Sequence, residues 1–499
     1  MKTRNSFILT ASAIALVASM GWAGAANAQS ARPATDASTF VYRDLSKELA
    51  NKMTGDYTIA VVGDVLMQEP MGKRIDDTLR GILQNADTTI GNMEVYMVDR
   101  QFWAGEHGYG NNWAPKEVAT DWAELGFDLM GSGEAAGGEE AMKSTLRIMD
   151  DAGIKVAGYG PNMTIARTPV FQELEQGRVA MVYAYPIGPV ADGPTARDKS
   201  GNSGGEEWGM NVLRLTQNVT VTPEQLEQIR EIRASMVERR TEADVARAID
   251  VPKEEDNSVE WLGRTYVAAD KPGDYQYVMN NSDRQAQVLA VRGAKEYADY
   301  VIFSSHIHEN RYVFQAYSQD HYPPDYVETL ARELIDNGLD LFHGHGNHTI
   351  QGIEIYKGRP IFYNLGNLSV HRFGAGSNDG RPASGPQTYI EAGEVGEHWL
   401  QQDINLMAFA AEVDYKDGVA TEVRIHPVDL GLRKERPWSR MNIPMTPSAA
   451  DAQMILELIQ EYSEPYGTEI EIRDGVGYIT IDPSETVPVG TELRASWEN

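Results

Sequence analysis

The chain has 499 residues, no cysteine and a formal net charge of −29. So acidic a chain lacks the surplus of Lys and Arg that holds nucleic acid or an anionic lipid surface. Without cysteine it has no disulfide, no thiolate metal site and no cysteine nucleophile, so any metal must be held by His, Asp, Glu or Asn.

Met1–Ala28 carries Lys2 and Arg4, an apolar run from Phe7 to about Trp22, and Ala26-Asn27-Ala28. This pattern predicts a secretory signal peptide cleaved before Gln29. The mature protein is then expected in the periplasm or outside the cell, with no stable membrane anchor, since no later stretch is apolar for long enough. Residues 29–40 read as a linker. Asp44–Met53 reads as a short helix, and Thr58–Val62 as a buried strand with Gly63-Asp64 at its carboxyl end, where open α/β sheets place ligand groups.

Arg74–Ala86 has helical spacing of Ile75, Leu79, Ile82 and Leu83. Asp87–Val98 reads as a strand on which Asn92 and Glu94 share a face. Burying an amide and a carboxylate there is costly without partners or a metal. Trp113–Leu125 and Glu139–Ala152 read as helices, and Phe127–Met130, Ile154–Ala157 and Arg178–Tyr183 as strands. This alternation predicts a layered α/β domain. From about 186 to 299 the rhythm breaks. Thr222–Asp250 is expected to be an exposed helix and Arg284–Tyr300 another, and the segment reads as an insertion or lid.

Six of the ten histidines fall between His306 and His348. VIFSSHIH reads as a strand that points His306 and His308 to one face. DLFHGHGNH reads as a second strand breaking into a Gly-rich turn that releases His345 and His348. Two strand ends carrying imidazoles can converge on one divalent ion, with carboxylates completing the site. The spacing singles out His306, His345 and His348; it does not single out His308, His321 or His343. Beyond Asn367, Leu406–Asp414, Val419–Ile425 and Gly475–Ile481 read as strands of a second antiparallel layer or an edge, and Ala449–Tyr466 as a helix. Neither a Gly-x-Ser-x-Gly elbow before a suitable helix nor a P-loop is present, which removes serine-hydrolase and NTPase readings.

The succession VVGDVLM, GNMEV, DAGIKVAGYGPN, VIFSSHIHE and IDNGLDLFHGHGNHTIQGIEIYKGRPIFYNLGN resembles the CapA family, named for capsule and poly-γ-glutamate biosynthesis proteins. The resemblance runs from about Tyr57 to Leu430. It implies a metallophosphatase-like four-layer α/β/β/α sandwich over residues 41–430, with the inserted helical and loop segment, and a C-terminal extension, 431–499, packed on the same domain. By position it implies Asp64, Glu94, His306, His345 and His348 as metal and active-site residues, and Asn92 stands beside them. One motif departs. Where the family has Asn-Asn-His, this chain has Met130-Gly131-Ser132-Gly133-Glu134.

The expected chemistry is therefore metal-dependent hydrolysis or transfer on an anionic or polymeric envelope substrate. A divalent Mn, Zn or Fe ion would be held by Asp64, Asn92, Glu94, His306, His345 and His348. His308 and Glu134 are the candidate proton-transfer groups. Two other readings stay open: a protein that assists capsule or polymer synthesis machinery without turnover, and a degenerate metallophosphatase homologue.

Overall fold

The computed structural model describes residues 50–98, 113–133, 138–188, 196, 207–237, 254–313, 321–371, 403–432 and 442–487. The expected signal peptide, the linker and Glu134 lie outside these residues. The central strands are β1 (Asp56–Met67), β2 (Thr88–Met93), β3 (Leu129–Ser132), β4 (Lys155–Ala157), β5 (Gly177–Ile187), β6 (Val212–Val221), β7 (Tyr300–His306), β8 (Leu341–His345), β9 (Ile353–Tyr356), β10 (Arg359–Phe362), β11 (Asn367–His371), β12 (Met407–Lys416), β13 (Val419–Asp429), β14 (Glu471–Arg473) and β15 (Val476–Thr480). One sheet runs β14-β15-β13-β12-β1-β2-β3-β4, with β11 also on β1. The other is centred on β6-β5-β7-β8-β10-β9.

The helices are α1 (Asp77–Asn85), α2 (Lys116–Glu124), α3 (Gly138–Asp151), α4 (Asn281–Tyr297), α5 (Asp325–Asp336) and α6 (Ala449–Ser463), with Pro223–Val237 in the inserted segment. The two-residue period of β7 shows the layering. Val301 and Phe303 pack with Val291 of α4 and Leu330 and Leu334 of α5 in one core. Tyr300 and Ile302 point the other way, into the core between the sheets. Both faces of β1 are buried, and the same apolar cluster continues past the first sheet to Leu79 and Leu83 of α1, Trp122 of α2 and Met149 of α3 on its other face. Helices therefore cover both outer faces, which is the four-layer α/β/β/α sandwich.

Several elements differ from expectation. Ala50–Met53 is not helical. Helix α1 starts three residues late because the Asp76 side chain caps the Leu79 amide. The strand expected over Asp87–Val98 breaks after Met93, and Tyr96–Met97 pairs with Trp113–Ala114 instead. The strands past Leu406 form no separate layer: β12 pairs antiparallel with β1, so β12 to β15 extend the first sheet as its edge. The inserted segment is partly sheet, since β6 pairs with β5 and the strand Tyr275–Met279 pairs with β6.

One close approach sets the site. A Cβ built on Gly63 would sit 1.9 Å from the Gly366 carbonyl oxygen, which accepts the Asp64 amide at 3.1 Å. Gly63→Ala is expected to cost about 3 kcal/mol or more, because a backbone carbonyl cannot swing aside as a side chain can. Gly293, inside α4 with no heavy atom near its built Cβ, is the control. Gly293→Ala should stabilise by about 0.5–1 kcal/mol. Urea denaturation of both variants checks the pair; equal midpoints would show that the β1 contact is slack.

Candidate metal centre

Strands β1, β2 and β3 run parallel, as do β5, β7 and β8, and the site lies where their carboxyl ends meet. Between Val61 and Asp64 the register with β2 slips: Val61 pairs with Ile90, but Asp64 pairs with Asn92. Three steps on β1 thus match two on β2. This bulge turns Asp64 onto the inter-sheet face shared by Ile90 and Asn92. One row then reads Asn367, Asp64, Asn92, Gly131 across four strands. Opposite it, β7 pairs His306 with His345 on one side, and Ser304 with Tyr183 and His343.

Asp64 is fully buried. Its Oδ1 accepts from Asn92 Nδ2 at 2.7 Å and its Oδ2 from the Gly346 amide at 3.0 Å. His345 Nδ1 lies 3.5 Å from Oδ1 and His348 Nδ1 3.4 Å from Oδ2. Burial pushes this carboxyl up, but the adjoining His345 and His348 and the Asn92 amide outweigh it and hold it at about 2. Glu94 lies just past the end of β2. Its Oε1 is 3.2 Å from Asn92 Nδ2 and 3.3 Å from His306 Nε2, and its Oε2 is 3.9 Å from His348 Nε2.

His306 Nδ1 and His345 Nδ1 are 3.1 Å apart. Burial pushes both imidazoles down, His306 well below its ordinary range, and neighbouring imidazoles lower His306 further. His348 sits at φ 60°, a left-handed conformation uncommon for a side chain of this size. Its carbonyl is held by the amides of Asn367 at 3.3 Å and Asn405 at 3.1 Å. Its Nδ1 is 2.6 Å from Asn367 Oδ1. The structure thus brings together all six predicted ligand positions: Asp64, Asn92, Glu94, His306, His345 and His348.

His308 lies beyond the end of β7, where strand alternation no longer applies. It still meets His306 edge to face at 4.2 Å between ring centres. Burial, then the His348 charge, pushes it down to about 3. His321 stands apart, stacked on Tyr462. Sequence reasoning passed over Tyr185, whose ring stacks on His306 at 5.4 Å, and Tyr183, stacked on His345 at 6.1 Å. It also passed over Ser304, Asn367, Asn405 and Glu309. The Glu309 carboxyl is raised by burial to about 7 and accepts from Tyr326 at 2.9 Å. Asn367 alone had a visible signal, as the last residue of the Asn-Leu-Gly-Asn run.

The residues fit a divalent ion on three counts. Asp64 with His306 and His345, Glu94 with His306 and His308, and Asp64 with Glu94 and His348 each gather three donor atoms within 4.8 Å. Ligand atoms about 2.1 Å from one ion stand about 3–3.5 Å from each other, the spacing seen for His306, His345 and Asp64. The buried Asn92 Oδ1 has no hydrogen-bond partner; Nδ2 of the same carboxamide meets Asp64, Glu94 and His306, so a turn of the carboxamide would present that oxygen to an ion.

Fold and site together define the class: a four-layer α/β/β/α sandwich with a buried cluster of imidazole, carboxylate and carboxamide groups at converging strand ends. The chain belongs to the bacterial capsule synthesis protein PGA_cap family, whose model matches residues 58–371. It is 31% identical over 465 residues to protein y4sH of Sinorhizobium fredii (strain NBRC 101917 / NGR234), covering 88% of this chain and 96% of that one. It is 37% identical over 87 residues to the PGA biosynthesis protein CapA of Bacillus subtilis (strain 168), a match spanning 17% of this chain and 21% of that one. A match to the capsule biosynthesis protein CapA of Bacillus anthracis, 36% over 71 residues, spans 14% and 15%. A solved structure from Staphylococcus aureus described as a 5'-nucleotidase shares 9% identity at a TM-score of 0.34, over 81% of this chain and 58% of that one. At that score the likeness adds nothing to the fold assignment, which rests on the strand order.

Proposed function

We propose that this is an exported protein of capsule, poly-γ-glutamate or related envelope-polymer synthesis that binds a divalent ion and acts as a hydrolase or transferase on an anionic polymer or its precursor. The observation that carries the reading is the meeting of His306, His345 and Asp64 within ligand spacing. Asp64, Asn92, Glu94, His306, His345 and His348 are the ligands in this reading, and they can draw an anionic substrate into an acidic protein because the ion reverses the local field. The ion would supply Lewis acidity at a phosphoryl or carbonyl oxygen. His308, neutral at working pH and edge to face with His306, stands beside the cluster where an attacking water would be held. At so low a basicity it orients that water rather than storing its proton. Glu134, outside the described residues, remains the other candidate for proton transfer or an added ligand.

A second reading, polymer binding without turnover, is favoured by β3. The family's Asn-Asn-His is missing there. A Cβ on Gly131 would already lie 2.8 Å from both the Ser304 hydroxyl and the Tyr183 ring. Position 131 therefore has no room for a side chain that would replace the missing donor to a developing oxyanion. Wild type and Glu134→Ala are to be compared for metal content and for hydrolysis of phosphoester and γ-glutamyl probes. A bound ion with weak or no turnover of generic phosphodiesters is the expected result. Fast phosphodiesterase activity untouched by Glu134→Ala would show that the missing motif is dispensable. N-terminal sequencing of the secreted protein should begin at Gln29; recovery of Met1 in membranes would reject export by cleavage.

A further inference from the structure

We infer that Ser304 and His343 are positioning residues that fix the proton on Nε2 of His345 and leave its Nδ1 bare toward Asp64 and His306. The argument starts at the β1 bulge. The Val62 carbonyl can only accept, and His343 Nε2 lies 2.9 Å from it. His343 therefore carries its proton on Nε2 and presents a bare Nδ1. Ser304 Oγ is 3.2 Å from that nitrogen, so the hydroxyl donates to it. The same oxygen is 2.8 Å from His345 Nε2 and, its own proton spent, accepts from it. His345 Nδ1 is left without a proton, 3.1 Å from His306 Nδ1 and 3.5 Å from Asp64 Oδ1.

Were the hydroxyl to donate to His345 instead, His343 would either carry protons on both nitrogens or keep a bare Nδ1 with no donor. The first buries an imidazolium with no carboxylate bonded to it and the second leaves a fully buried acceptor unsatisfied, whereas the relay satisfies every member while staying neutral. His343, Ser304 and His345 are all buried to within measurement of zero exposure, so the three hydrogen bonds are the means by which these groups are satisfied. The relay also explains why a third histidine stands two residues before His345 without reaching the ligand cluster. It links the backbone distortion that aims Asp64 to the imidazole that faces it. Partners of this kind orient a ligating imidazole and fix its tautomer.

That Nδ1 is the ligating atom rests on the metal reading above; the proton positions do not. The test is long-range proton–nitrogen NMR on histidine-labelled wild type, first metal-free and then titrated with Zn²⁺. His343 and His345 should both show the Nε2–H tautomer before metal, and Zn²⁺ should shift the His345 Nδ1 resonance while its Nε2 keeps the proton. Ser304→Ala should lower Zn²⁺ affinity about ten- to hundredfold, and Ser304→Thr, which keeps the hydroxyl, should restore most of it. An Nδ1–H tautomer of His345 in the metal-free wild type would overturn the inference even if Ser304→Ala fails to fold. So would unchanged Zn²⁺ affinity in a folded Ser304→Ala. If wild type binds no Zn²⁺, the metal reading fails, while the metal-free spectrum still decides the relay.

Discussion

Asp64→Asn is expected to lower divalent-metal affinity by more than about a hundredfold while leaving the protein folded. Changing a residue that merely orients a ligand costs about 10- to 100-fold, and here a charged donor itself is lost. Asp64 and Glu94 are the carboxylates facing the imidazoles, so together they neutralise one dication. Replacing one leaves an ion one charge in excess within a buried site. The fold should tolerate the change for a specific reason. The new carboxamide can keep its oxygen toward the Gly346 amide and turn its NH2 toward Asn92. Asn92 can then rotate its unpartnered oxygen to meet it. Zinc or manganese titration with elemental analysis measures the first effect, and thermal melting of the metal-free variant measures the second. Unchanged affinity in Asp64→Asn, with unchanged metal content in His345→Ala and His348→Ala, would place any metal elsewhere.

The metal-free protein is expected to lose stability steeply as pH falls below about 6.5, the ordinary histidine value. His306, His308, His343 and His345 are all pushed below that value by burial. A group with a depressed folded pKa takes up its proton on unfolding. Its stability contribution is therefore complete above the unfolded pKa and is lost as pH falls from there toward the folded pKa. Each such imidazole removes up to about 1.4 kcal/mol per pH unit. Glu309 runs the other way. Its folded value, raised to about 7, penalises the fold as pH rises above its ordinary 4.5, so acidification relieves it and offsets one of the four. Asp64 does not enter this window, because its contribution is present above 3.8 and is lost only as pH falls toward about 2. Counting only His306, His308 and His343, which are displaced far, against Glu309, the net slope is about 3 kcal/mol per pH unit, against a usual total of about 5–15 kcal/mol. Unfolding should therefore be well advanced by about pH 4.5. Saturating Zn²⁺ should move the midpoint to lower pH, since the ion binds the deprotonated imidazoles of the folded state. Circular-dichroism melts at pH 7, 6, 5 and 4.5 follow the loss; a flat profile would mean that these imidazoles are not held neutral by the fold.

The sequence by itself was enough for the strand ends and for most of the donor set. Short apolar runs stopping at Gly63-Asp64, at Asn92 and at His306 state locally where a strand ends and what it presents there. The same local patterns located β12, β13 and β15 but not their sheet. Antiparallel pairing of β12 with β1 joins residues more than 300 apart, and nothing in either strand names its partner. Alternation along β1 also misplaces Asp64, because the inward aim comes from a one-residue slip against β2 and from Gly63 passing the Gly366 carbonyl. Sideways neighbours were equally hidden. Tyr185, Tyr183 and Ser304 reach the histidines through the register of β5, β7 and β8, and Asn367 reaches His348 through the pairing of β11 with β1. Within the histidine-rich segment the spacing already set His345 apart from His343 and His321, and packing supplied the reason: His345 faces Asp64, His343 is tied to the Val62 carbonyl and His321 is stacked on Tyr462. The physical reason is that side-chain period is a property of one strand, whereas register, bulges and facing layers are set by which strands find one another, and that choice is made by the burial of the whole sandwich.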